Sequence, residues 1–140
     1  MNKTFILIAE DDADDRFLLQ TAFEERGYSD KIEFVHNGVE LMQYLENNGS
    51  SSDKFPCFIL MDLNMPKKDG RQVLEEIKRN PRFKQIPVIV FTTTKNEMEI
   101  RRCYELGANT YIVKPISFEA LLHVVDNIKS YWLNTATLTV

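Results

Sequence analysis

Apolar and polar positions along the chain follow two alternating rhythms. Four short runs, Phe5 to Ala9, Cys57 to Met61, Val88 to Phe91 and Tyr111 to Val113, are almost continuously apolar. Unbroken runs of this length predict β-strands covered on both faces. A fifth run, Ile32 to Val35, alternates apolar with polar and suits an edge strand. Between the runs the apolar spacing lengthens to three or four residues, the repeat of an amphipathic helix. The helical groups are Leu18, Leu19, Ala22 and Phe23; Val39, Met42 and Leu45; Val73, Leu74 and Ile77; and, with weaker periodicity, Met98, Ile100 and Tyr104. The clearest is the last, where Phe118, Leu121, Leu122, Val125, Ile128 and Trp132 form one stripe. Gly27, Gly49 and Gly107 fall just past helices one, two and four, where a left-handed closing residue is wanted. Thr94 with Glu97 has the spacing of a capping box, and Ser117 is placed to cap the last helix.

Strand and helix alternating five times predict a parallel sheet with helices on both faces. Right-handed crossovers, with the apparent edge strand second in the chain, favour a flavodoxin-like, doubly wound α/β fold of strand order 2-1-3-4-5. Ligands of such sheets bind beyond the carboxyl ends of the strands, here between strands one and three. Strand one runs into Glu10 and Asp11, and strand three into Asp62. Carboxylates converging there repel one another, and a buried acid is costly unless paired or coordinated. A hard divalent cation removes the conflict: Mg²⁺ takes one or two protein carboxylates, keeps waters and completes its shell with phosphoryl oxygen. An acid aimed at that phosphoryl group can act as a nucleophile, and Asp62 is the natural candidate. Strand four ends in Thr92, Thr93 and Thr94, and strand five in Lys114 followed by Pro115. A hydroxyl and an ammonium on these ends complete a constellation suited to phosphoryl transfer, where positioning and charge neutralisation supply most of the catalysis.

Composition narrows the choice. At 140 residues, 44% of them hydrophobic, the chain has the size of one compact domain. Its 17 Lys and Arg against 21 Asp and Glu give a net charge of -4, which argues against a general nucleic-acid binder. Only six uncharged residues, Thr4 to Ala9, stand together before Glu10, too few for a signal-peptide core, and no segment approaches membrane-spanning length. A cytoplasmic protein is expected. Cys57 and Cys103 lie far apart and outside any CxxC pair, which favours two reduced, partly buried thiols over zinc or redox chemistry.

Four motifs, "IAEDD", "LMDLNMPKKDG", "VFTTT" and "YIVKP", occur in this order at the ends of strands one, three, four and five. On them the chain resembles, over essentially its full length, a receiver domain of bacterial two-component signalling. The resemblance implies that Asp62 accepts a phosphoryl group from the phosphohistidine of a sensor histidine kinase. It implies Mg²⁺ held by Asp62, directly by Asp11, through a water by Glu10, and by the backbone carbonyl of Asn64. Thr92 and Lys114 would hold the phosphoryl oxygens, and the Lys114–Pro115 bond would be cis. Tyr111 has two readings: an aromatic on a buried strand, or, as in receivers, a switch residue that moves inward when the Thr92 hydroxyl is drawn to the phosphoryl group. Thr94 and Asn64 would influence how readily water reaches the phosphoaspartate.

Within the family the chain looks most like single-domain regulators associated with phytochrome-type sensor kinases, on "FTTT", "LGANTYIVKP", the terminal "YWL" and a long loop before strand three. That implies one receiver over residues 1–140 with an apolar tail at 131–140, no effector domain and no enzyme activity beyond its own phosphorylation and dephosphorylation. Output would come from binding a downstream protein or phosphotransfer protein, with a homodimer through the face of helix four, strand five and helix five.

Plainer explanations suffice for other residues. Asp14 and Asp15 suit the start of a helix, and Asp12 is a solvated neighbour. The acidic run lacks the glycine and closing glutamate of an EF-hand loop. Thr93 and Thr94 read as packing or capping residues, Asp69 and Gly70 as turn and helix start, and Pro66 as a loop restraint. His36 and His123 are poorly placed as phosphoacceptors or ligands. The stretch "NNGSSSDKFP", residues 47–56, has the composition of a surface loop, and the tail either folds back or covers a partner. Two other functions are open to such a chain. A phosphatase-like enzyme with an aspartate nucleophile would carry DxDxT after strand one, which is absent; an unphosphorylated interaction module would not need the full set of acids, threonine and lysine.

Overall fold

The structure is a computed structural model that describes residues 5–28, 32–48 and 55–138. Its elements alternate as read from the sequence: β1 (Ile6–Ala9), α1 (Ala13–Glu25), β2 (Ile32–Val35), α2 (Gly38–Asn47), β3 (Phe58–Met61), α3 (Gly70–Arg79), β4 (Val88–Thr92), α4 (Glu97–Leu106), β5 (Thr110–Val113) and α5 (Phe118–Ile128). The strands form one parallel sheet of order β2-β1-β3-β4-β5.

Successive side chains on a strand point to opposite faces, and the sheet divides its apolar residues accordingly. Leu7, Ile59, Met61, Val88 and Val90 face α2, α3 and α4, burying Leu41, Leu45, Val73, Leu74, Ile77 and Cys103. Ile6, Ile8, Phe58, Leu60, Ile89 and Phe91 face α1 and α5, burying Leu19, Phe23, Leu121, Val125 and Ile128. Each such side chain, removed from water, contributes about 1.5–3 kcal/mol. The half-exposed Arg26–Asp126 pair that also joins α1 to α5, at 2.6 Å, adds about 1 kcal/mol at most. The strand predicted at 111–113 is less covered than the central three, because it forms the second edge of the sheet.

Two helix starts differ from the sequence reading: Asp12, read as a solvated neighbour, caps α1, and the cap of α4 is displaced. Asp12, Asn37, Asp69 and Ser117 each accept a backbone N–H of the helix they precede. The expected Thr94–Glu97 capping box does not form. Helix α4 begins two residues later, Asn96 accepts the N–H groups of Met98 and Glu99, and Glu97 is consequently the first helical residue rather than the third. Gly27 and Gly107 have the expected left-handed conformation; Gly49, with most of the 47–56 loop, lies outside the described residues. Every peptide bond among the described residues is trans, so the expected cis Lys114–Pro115 bond is corrected; trans is the lower-energy isomer by about 0.5–1 kcal/mol even before proline.

Beyond α5 the chain continues as a π-helical segment, Lys129–Thr135. Trp132, Leu133 and Leu138 pack against the α1/α5 side of the core, with the Trp132 ring 5.9 Å from that of Phe58. The apolar tail thus folds back on its own domain. Among the described residues no helix is long and apolar enough to cross a membrane.

The loop leaving β3 is packed as tightly as a strand. Leu63 and Met65 are buried, Gly70 donates to the Leu63 carbonyl, and a three-residue turn closes from the Lys68 N–H to the Pro66 carbonyl around Lys67, which has φ 69°. A Cβ on Gly70 would stand 2.6 Å from the Asp62 carbonyl oxygen and 2.7 Å from Leu63 Cα, both backbone atoms that cannot rotate away. Gly70→Ala is therefore expected to cost about 3 kcal/mol in urea denaturation, the high end for overpacking, because both clashing atoms are backbone. Gly27→Ala, where φ is +81° and nothing lies within 4 Å, is expected to cost only about 1 kcal/mol. Equal losses at the two positions would contradict this account of the loop.

Candidate functional site

Parallel pairing places the ends of β1, β3, β4 and β5 side by side. The Asp62 N–H donates to the Ala9 carbonyl at 3.1 Å and the Lys114 N–H to the Thr92 carbonyl at 2.8 Å, which carries the ladder one residue past each strand and sets the site residues at its rim. Glu10 (2% exposed), Asp62 (7%) and Thr92 (0%) are buried, whereas Asp11 is exposed. Carboxylate oxygens of Glu10, Asp11 and Asp62 all lie within 4.8 Å of one another, as one cation would require.

The Lys114 ammonium stands among these acids. Its Nζ donates to Glu10 Oε1 at 2.7 Å, Asp62 Oδ2 at 2.8 Å and Asp15 Oδ2 at 2.9 Å. The other Asp62 oxygen accepts the Asn64 N–H at 3.3 Å. Arg16 fixes the acidic turn by donating to the backbone carbonyls of Glu10 and Asp11, both at 2.9 Å. Glu10, Asp15 and Asp62 thus share one lysine, with Asp11 beside them, and their charge is not balanced by Lys114 alone. Burial pushes the Glu10 carboxyl up to about 7, against the lowering effect of Lys114 and with the further help of the Asp62 charge. At Lys114 burial works to lower the pKa, but the hydrogen bonds to Asp62, Glu10 and Asp15 outweigh it and the ammonium is held above its ordinary range.

Thr92 supplies the decisive detail. Its hydroxyl oxygen is buried and has no hydrogen-bond partner among the described residues. Orphaned buried hydroxyls are rare and cost about 1–3 kcal/mol. An excess of carboxylate charge for a cation, beside an unpartnered hydroxyl and an ammonium for an anion, is the donor set that a divalent metal and a phosphoryl group together would satisfy.

A family model, response regulator receiver domain, matches residues 6–126. The chain belongs to this family. It is 40% identical to the probable methanogenesis regulatory protein FilR2 of Methanothrix harundinacea, over 91% of this chain and 83% of that protein. It is 40% identical to response regulator Rcp1 of Synechocystis, over 95% and 91% of the two chains; the Mn²⁺-bound form of Rcp1 superposes with a TM-score of 0.85 at 39% identity, covering 98% of this chain and 99% of that one. The phosphorylated cyanobacterial phytochrome response regulator RcpA superposes with a TM-score of 0.88 at 40% identity, covering 100% of both chains. Receivers are signalling proteins that take a phosphoryl group from histidine kinases onto an aspartate, and this receiver carries the acidic group Glu10, Asp11 and Asp62 where the fold places its ligands.

The fold brings Glu10, Asp11, Asp62, Thr92 and Lys114 together at one rim. Asn64 is adjacent through its N–H, and Tyr111 lies farther off, its hydroxyl donating to the Thr94 carbonyl at 2.8 Å. His36 and His123 are exposed, and both thiols are buried and free. Sequence reasoning missed Asp15 and Arg16. Asp15 stands three, four, seven and eight residues before Leu18, Leu19, Ala22 and Phe23, on the apolar stripe of α1, and that spacing is the signal that separates it from Asp14.

Lys114→Met leaves two buried acids without their cation. In chelator-treated buffer at pH 8 it is expected to cost about 3 kcal/mol of unfolding free energy, the low end for a broken buried pair, since Glu10 can take up a proton. An acid whose folded pKa lies above its unfolded value costs the fold above that range and ceases to as the pH falls to the unfolded value. The loss is therefore expected to shrink between pH 8 and pH 5 in urea denaturation; a pH-independent loss would mean the acids do not feel Lys114.

Proposed function

We propose that Asp62 is the phosphoacceptor of a stand-alone response regulator and that Glu10, Asp11 and Asp62, with the Asn64 carbonyl, hold Mg²⁺. The observation that carries the reading is the Asp62 carboxylate bound to Lys114 on a rim where the Thr92 hydroxyl has no partner among the described residues. An Asp62 oxygen attacks phosphorus, the new O–P bond forms as the P–N bond of the kinase phosphohistidine breaks, and the electron pair of that bond stays on the imidazole nitrogen. Lys114 and Thr92 bind the phosphoryl oxygens, and Arg16 keeps the acidic turn in place. Bound Mg²⁺ would neutralise the carboxylates and polarise the phosphoryl oxygens. The same geometry serves hydrolysis, with Asn64 and Thr94 at the mouth governing the approach of water.

The protein acts in the cytoplasm, its donor is a sensor histidine kinase, and the likeness to Rcp1 and RcpA supports one of phytochrome type. The output is a protein contact. Phosphorylation stabilises a second conformation through its new bonds to Thr92 and Lys114, and Tyr111 couples that rim to the face of α4, β5 and α5. Met98 and Tyr131 are exposed there, on either side of the edge strand β5, which supports a homodimer or a downstream partner on this face.

With acetyl phosphate and Mg²⁺, intact-mass measurement is expected to show one labile phosphoryl addition, absent in Asp62→Asn and slowed at least tenfold in Thr92→Ala; undiminished labelling of Asp62→Asn would sink the assignment. Mg²⁺ at about 100 times its dissociation constant is expected to stabilise the protein by about 2.7 kcal/mol. Asp11→Asn should abolish that gain in thermal denaturation, and a gain that survives the substitution would remove Asp11 from the metal site.

A further inference from the structure

The charge of Asp15 is an unabsorbed part of the site. An ammonium has three N–H donors, and on Lys114 all three are taken, by Glu10, Asp62 and Asp15. A phosphoryl oxygen arriving at the rim needs one of them. Glu10 and Asp62 have side chains only 2% and 9% exposed, so in the metal-free protein releasing either strands a buried charge. The Asp15 side chain is 40% exposed. It also lines a cavity of about 100 Å³ between the start of α1 and the segment Pro115 to Phe118, where water can replace the ammonium. The bond cheapest to break is therefore the one to Asp15.

We propose that Asp15 is a positioning residue that competes with the incoming phosphoryl group for Lys114. In the resting protein it parks the ammonium at the mouth of the site and ties the first turn of α1 to the end of β5. On phosphoryl arrival the Nζ–H leaves Asp15 for a phosphoryl oxygen, Asp15 becomes hydrated, and the α1–β5 tie opens. Asp15 thus sets a threshold for phosphorylation without touching the donor. The inference rests on the reading of Asp62 as phosphoacceptor and Lys114 as phosphoryl ligand.

Asp14 provides the control, since it lies in the same helical turn with the same charge and is exposed. Labelling by acetyl phosphate and Mg²⁺ is followed by intact mass for the full chain and for Asp15→Asn, Asp15→Glu, Asp14→Asn and Asp62→Asn. Asp15→Asn is expected to label about two- to fivefold faster, the rate equivalent of one half-exposed ion pair. Asp14→Asn should stay near the unsubstituted rate, and Asp15→Glu should return to it. In the unphosphorylated proteins, the Lys114 ammonium resonance is expected to move in Asp15→Asn and not in Asp14→Asn. Equal rates for the two asparagine variants, a slower Asp15→Asn, or an unmoved Lys114 resonance overturns the role of Asp15 while Asp62→Asn stays unlabelled. Labelling of Asp62→Asn would instead overturn the phosphoacceptor reading itself.

Discussion

One ammonium group, Lys114 Nζ, holds the functional rim of this receiver together. It stands at the end of the last strand and bonds to acids 104 and 52 residues earlier in the chain, one residue past β1 and β3, and to Asp15 in the first turn of α1. Glu10 and Asp62 are buried enough that, without a cation between them, desolvation and mutual repulsion would oppose the register that places them side by side. The lysine lowers that cost without removing it, because the carboxylates around it outnumber it. The elevated Glu10 pKa records the remaining imbalance, and burial is its largest cause. A site left short of positive charge, with a buried hydroxyl still unpartnered at Thr92, is poised to gain from a cation and from phosphoryl oxygens.

The stability that tolerates such a site comes from elsewhere. Five parallel strands put apolar side chains on both faces, and two separate clusters, one under α2 to α4 and one under α1 and α5, exclude water on each side. These clusters are dominated by fully buried Leu, Ile, Val and Phe, whose transfer free energies exceed those of the half-exposed ion pairs on the helices. The π-helical continuation of α5 extends the second cluster by seating Trp132 near Phe58. Packing also reaches the site directly, since the buried Leu63 and Met65 and the close approach of Gly70 fix the loop on which Asp62 sits.

The rim and the edge of the sheet are neighbours, and this gives chemistry at Asp62 a short route to the surface. Thr92 ends β4, its carbonyl accepts the Lys114 N–H of β5, and two residues on, the Thr94 carbonyl accepts the Tyr111 hydroxyl. Arg71 at the start of α3 reaches Glu99 on α4 with a bond of 2.5 Å, so the helices beside this route are linked as well. Thr92 and Lys114 therefore lie directly beside the half-buried edge strand β5.

The sequence by itself determined the element order, the sheet order and the candidate site. Continuous apolar runs and three-to-four spacing are local consequences of strand and helix geometry, and the placement of Glu10, Asp11, Asp62, Thr92 and Lys114 follows once the strands are parallel. It misled where competing local options were nearly equal in energy: Thr94 or Asn96 as the cap of α4, and cis or trans at Lys114–Pro115. Only the tertiary structure decided that Asp15 meets Lys114, that Arg16 supports the turn from Glu10 to Asp11, that the tail packs on its own core, and that the Thr92 hydroxyl has no partner among the described residues. Those outcomes depend on how helices pack across the sheet.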